Sequence, residues 1–100
     1  MRVRHKDATL ARLEVDPSYT AEGEFSTVVV RGFRKAMNYI RNASDERDIR
    51  NYKSLHYHKL QPPREGQYAV KVSDQFRLIL EWEGAGTETT VIVVGIEDYH

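Results

Sequence analysis

The apolar residues of this 100-residue chain change their spacing at Pro62-Pro63, and that change limits the possible folds more than any other feature. Upstream, Val29, Phe33, Ala36, Met37 and Ile40 recur at helical spacing, forming a stripe along one side. Ser26 stands where such a helix needs a cap, and Arg31, Arg34, Lys35, Asn38, Arg41 and Asn42 fall largely off the stripe. Downstream, Tyr68, Val70 and Val72 alternate with Gln67, Ala69 and Lys71. After a turn at Ser73-Asp74, Phe76, Leu78, Leu80 and Trp82 share one face of a second strand. Gly84-Ala85-Gly86 makes another turn, and the run from Thr90 to Val94 is apolar on both faces, as a strand inside a sheet requires. Helices first and antiparallel strands after predict an α+β chain, with N-terminal helices packed on one face of a small antiparallel sheet.

The remaining elements are shorter. A strand is expected around Met1–His5 and a helix over Asp7–Glu14, which carries Leu10, Ala11 and Leu13. Asp16-Pro17-Ser18 ends that helix, residues 18–25 read as a loop, and Ser44 is expected to cap a helix reaching about Tyr52, with Asp45 and Glu46 in its first turn. With 40% hydrophobic residues the chain can build one core, so residues 1–100 form a single domain.

Composition narrows the chemistry. There is no cysteine, hence no disulfide, thiol nucleophile or thiolate metal site, and four histidines without a spaced ligand set predict no metal site. No apolar run approaches the ~20 residues of a membrane span, and the first residues lack the apolar stretch of a secretory signal, so a cytoplasmic protein is expected. The formal net charge of zero hides a segregation: residues 31–64 hold nine basic and three acidic side chains, whereas residues 81–100 hold five acidic and no Lys or Arg. That pattern permits a polyanion-binding face and is equally the pattern of solvated surfaces.

Three groups of residues are candidates for chemistry. Period two puts Arg77 on the face opposite Phe76, Leu78, Leu80 and Trp82, where its guanidinium either grips a phosphate or pairs with a carboxylate such as Glu81. His56-Tyr57-His58-Lys59 lies where the helical half meets the sheet, and imidazole can both take and give a proton near neutrality. Lys59 and Arg64 would add charge there. The terminal Glu97-Asp98-Tyr99-His100 follows the most apolar strand directly, which would hold carboxylate, phenol and imidazole beside Arg77.

Taken jointly, these residues resemble the HigB-type branch of the RelE/ParE superfamily of toxins from bacterial toxin–antitoxin modules. The resemblance rests on the run from His58-Lys59-Leu60-Gln61 through Gly66-Gln67-Tyr68 to Asp74-Gln75-Phe76-Arg77, and on the terminal Asp98-Tyr99-His100. It implies a RelE-like fold and a metal-independent, cofactor-free endoribonuclease that cuts messenger RNA on the ribosome. It further implies that Arg77 binds phosphate, that His58, Asp98, Tyr99 and His100 are catalytic, and that His56, Lys59, Gln61 and Arg64 contact substrate. Gln61 replaces the family's usual lysine, and Pro62-Pro63 its Gly-Asp. The implied partners are the ribosome with its messenger and a HigA-like helix-turn-helix antitoxin, through which the pair binds operator DNA. Two alternatives carry the same fold: a ParE-like inhibitor of DNA gyrase, and a weakened toxin that mainly binds its antitoxin.

Overall fold

The computed structural model describes residues 1–99, with only the backbone of Thr87. Strand β1 (Arg2–His5) leads into helices α1 (Ala8–Val15), α2 (Thr27–Asn42) and α3 (Glu46–Asn51), followed by β2 (His58–Lys59), β3 (Gln67–Lys71), β4 (Phe76–Glu83) and β5 (Thr90–Asp98). The strands form one sheet in the order β1-β5-β4-β3-β2. The α+β architecture and the helix-covered face are as expected, with three corrections. The sheet is mixed, because β1 pairs parallel to β5 while every other pair is antiparallel. Asp45, not Ser44, caps α3, its carboxylate accepting from Arg47 N at 2.9 Å; Ser44 N donates to Asp48 instead. A short 3-10 turn, Ala21–Gly23, interrupts the loop expected over 18–25. No helix among the described residues is long and apolar enough to cross a membrane.

Helix α2 forms as its pattern dictates. The Ser26 hydroxyl accepts from Val29 N at 3.2 Å, and Val29, Phe33, Ala36, Met37 and Ile40 are all buried against the sheet. From the sheet come Val70, Val72, Leu78, Leu80, Val91 and Val93. Gly32, on the same helix, lets it approach very closely: a Cβ at this position would lie 1.7 Å from the Val72 carbonyl oxygen.

A β-bulge decides where the carboxyl-terminal side chains point. Ile79 pairs with Gly95 but Leu80 pairs with Val93, so Val94 is an extra residue on β5. Upstream of it Val91 and Val93 face the helices; beyond it the parity flips, and Ile96 packs on the core. Glu97 therefore lies opposite Arg77 on the open face, and Asp98 lies opposite Phe76 on the helix side.

Much of the charge segregation is resolved within the fold. Arg2, Arg4 and Lys6 of the opening segment pair with Glu88, Glu83 and Glu81. Within the basic middle, Arg34 donates to the carbonyls of Leu13, Asp16 and Tyr19, tying α2 to the end of α1. Arg41 makes two bonds, of 2.7 and 2.8 Å, to Glu14, which also accepts from His5 Nε2 at 2.8 Å. That carboxylate joins β1, α1 and α2, and its side chain is only 12% exposed. The Arg41 hydrogen bonds outweigh burial and hold its pKa below the usual glutamate value of 4.5. Because the folded state resists protonating Glu14 more than the unfolded chain does, its stabilisation is complete above that value and is lost as pH falls through the lower folded one. Glu14→Gln is expected to lower stability at pH 7 by about 1–2 kcal/mol, because Arg41 loses its anion but, with 43% of its side chain exposed, keeps its contact with solvent. Urea midpoints should then fall less between pH 6 and 3 in the variant than in the native chain, and equal falls would contradict the assignment.

Candidate active site

The site is built on the open face, from Arg77 on β4, Tyr99 just beyond β5 and His58 on the edge strand β2, with β3 between β2 and β4. Arg77 sits in the middle of the sheet, and its Nη1 donates to the carbonyls of Ser73, Asp74 and Phe76 at 2.7, 3.3 and 3.1 Å. These bonds lock one edge of the guanidinium to the β3–β4 turn. Its Nε is buried and has no hydrogen-bond partner among the described residues. The cross-strand neighbour that should neutralise it, Glu97, is held instead by Arg64 through two bonds of 2.6 and 2.8 Å. Those bonds raise the Arg64 pKa above its already high usual value. Glu81 is likewise engaged, by Gln67 and Lys6, and the two hydrogen bonds hold its pKa below the carboxylate range. The Arg77–Glu81 pair allowed by the sequence does not form. Arg77 is thus a half-buried cation without an ion-paired carboxylate among the described residues, an arrangement suited to an incoming anion.

Tyr99 lies against it, and His58 lies against Tyr99. The Arg77 guanidinium carbon stands 4.5 Å from the centre of the Tyr99 ring, and the His58 ring meets that ring edge-on at 5.8 Å. The last residues are anchored: Tyr99 N donates to Gln75 O at 2.7 Å, and the Gln75 amide donates to Asp98 Oδ2 at 2.9 Å. Gln75 therefore grips the backbone and side chain of consecutive residues, a role that its place beside Arg77 in the motif did not reveal. His58 Nδ1 lies 2.9 Å from the His56 carbonyl oxygen. A carbonyl can only accept, so Nδ1 carries a proton and Nε2 of the neutral ring holds a lone pair. Nε2 is buried and unpartnered among the described residues.

The other sequence candidates separate. His58 is opposite Ala69 and Lys59 opposite Tyr68, so their side chains leave opposite faces of the sheet edge and Lys59 does not join Arg77. His56 adopts a left-handed backbone (φ 49°, ψ 44°), and its side chain lines a different cavity, against α2. Tyr57 turns to the helix side, where its hydroxyl donates to Glu46 at 2.6 Å and accepts from Trp82 Nε1 at 2.9 Å, and its ring stacks on Tyr68. Burial, then the Glu46 hydrogen bond, push its pKa far up, as befits a structural group. Asp98 lies on the helix side of β5 with its carboxylate on Gln75. Arg64 is paired with Glu97, across from Arg77. Gln61 is exposed in the turn after β2 and makes no hydrogen bond to Arg77, Tyr99 or His58. His100 lies outside the described residues.

No family model matches this chain, and no curated protein matches its sequence. Among solved structures it is similar to a YoeB/ParE toxin from Agrobacterium tumefaciens, with a TM-score of 0.60 and 13% sequence identity over 100% of both chains. The two chains share a fold. The arrangement of helices on a five-stranded sheet is therefore one that a toxin of the YoeB/ParE type also adopts, end to end.

Proposed function

We propose that this chain is a toxin of the RelE/ParE superfamily that inhibits translation by cutting messenger RNA on the ribosome as an endoribonuclease. The observation that carries the reading is the Arg77 guanidinium, without an ion-paired carboxylate among the described residues, with the Tyr99 ring against it and His58 against that ring. A phosphodiester placed against Arg77 would have its developing charge met by the buried Nε–H. His58 Nε2 takes the proton of the ribose 2′-hydroxyl, the 2′-oxygen bonds to phosphorus, and the bond to the 5′-oxygen breaks. The departing oxygen takes a proton from a second acid, the role given to His100 by its place after Tyr99. The products are a 2′,3′-cyclic phosphate and a 5′-hydroxyl. Tyr99 offers its ring, 45% of the residue being exposed, to a base or to the ribose. Each step uses side chains of the protein alone. A helix-turn-helix antitoxin of the HigA type is the proposed protein partner, with operator DNA bound through it.

The two histidines divide in a test on translating ribosomes. His58→Ala is expected to lower the rate of messenger cleavage by about 10²–10⁴-fold, the usual contribution of a positioned base. His56→Gly should lose far less, about tenfold at most, since glycine adopts the left-handed backbone readily and only the carbonyl of His56 meets His58. Undiminished cutting by His58→Ala would remove His58 from the mechanism. The joint name of the structural neighbour, YoeB/ParE, keeps a gyrase-directed toxin as the second reading. Accumulation of cleaved gyrase–DNA complexes with intact messenger would favour it.

A further inference from the structure

A second cationic site lies around the edge of the sheet from Arg77. Helix α2 and the residues before β2 enclose an open cleft of about 260 Å³, its floor formed by Gly32 and Val72 and its walls carrying Lys35, Ser54, His56 and Lys71. No carboxylate among the described residues lines it. Lys35 is exposed and forms no ion pair among the described residues. Lys71 reaches Asp74 at 3.0 Å, but that carboxylate is fully exposed, so the pair is cheaply exchanged for another anion. His56, exposed and with a left-handed backbone, lines it as well.

Lys71 joins the two sites. It is the direct cross-strand partner of Arg77, on the same face, and it also borders the cleft. A polyanion laid on Arg77 and leaving over the β3 edge would meet Lys71 and, with it, the cleft that His56 and Lys35 also line. We propose that this cleft binds a backbone phosphate of single-stranded RNA, flanking the phosphodiester held at Arg77. Two lysines, an imidazole and a hydroxyl offer several donors to one phosphate, and continuity with Arg77 favours a nucleic acid over an acidic peptide. The proposal deepens the nuclease reading and rests on it, because the two phosphates belong to one strand.

The test uses a 2′-O-methyl RNA oligonucleotide, which cannot be cut, with binding followed by fluorescence anisotropy across a salt series. Lys35→Glu changes an exposed residue and should leave the fold intact. It is expected to weaken binding about tenfold and to reduce the slope of log affinity against log salt by about 1, as loss of one phosphate contact would. Lys71→Ala should act similarly, and the His56 imidazole proton resonances should shift on adding oligonucleotide to the native chain but not to Lys35→Glu. Native affinity and slope in both lysine variants would overturn the cleft, while weakened binding by Arg77→Ala in the same series would leave the nuclease site standing. Messenger cleavage on ribosomes without oligonucleotide binding would also remove the cleft alone. Binding of poly-glutamate in place of RNA would overturn it in favour of an acidic protein partner.

Discussion

Arg77→Ala is expected to lower messenger cleavage by about 10²–10³-fold, the cost of removing a donor aimed at charge that develops in the transition state. Three features account for an effect of that size. The guanidinium is half-buried, its Nε has no partner among the described residues, and the carboxylate opposite it is bound to Arg64. An alanine leaves Lys71, the cross-strand neighbour already engaged with Asp74, as the nearest cation on that face among the described residues. Arg77→Lys separates charge from shape: an ammonium restores the cation but cannot hold the three turn carbonyls and present a fork to phosphate together. It should keep binding better than it keeps turnover. Because Nη1 also braces the β3–β4 turn, thermal unfolding of both variants belongs with the kinetics. Folded Arg77→Ala protein that cuts messenger at the native rate would remove Arg77 from the site.

The largest effect on stability is expected at Gly32. In an ordinary helix, glycine to alanine gains about 1 kcal/mol. Here the new methyl carbon would sit 1.7 Å from the Val72 carbonyl oxygen, a backbone atom in the sheet that cannot rotate away. The helix would have to lift off the sheet, disturbing the packing of Phe33 and Ala36 on either side of the contact. Gly32→Ala should therefore cost about 3 kcal/mol or more, as severe overpacking does. For a domain of this size that corresponds to a fall in Tm of at least about 12 °C. A Tm at or above the native value would show that helix propensity wins and that the close approach is dispensable.

What lay open in the sequence was whatever depends on local periodicity. The helical stripe from Val29 to Ile40, the alternation through β3 and β4 and the doubly apolar β5 each state which face is buried, because a residue's face follows from its spacing along one element. The same rule put Arg77 on the face away from the helices. It could not tell which cations were already used. The basic residues of the middle segment that pair with Glu14 and Glu97, and the opening Arg2, Arg4 and Lys6, find their partners tens of residues away. Ion pairs of that kind are set by how elements pack, and neither local charge nor spacing encodes them.

The site itself was decided in tertiary structure. One unmatched residue, Val94, reverses the facing of everything after it, so that Glu97 comes opposite Arg77 and Asp98 is turned away. Strict alternation along β5 would have given the opposite result. Likewise the parallel direction of β1 comes from the route of the chain across the helices, and the lone pair of His58 from a carbonyl two residues back, held by a left-handed His56. The sequence by itself determined which residue types were present and which elements they form. Only the packed sheet, with its bulge and its long-range ion pairs, determined which of those groups face one another and which charge is left for a ligand.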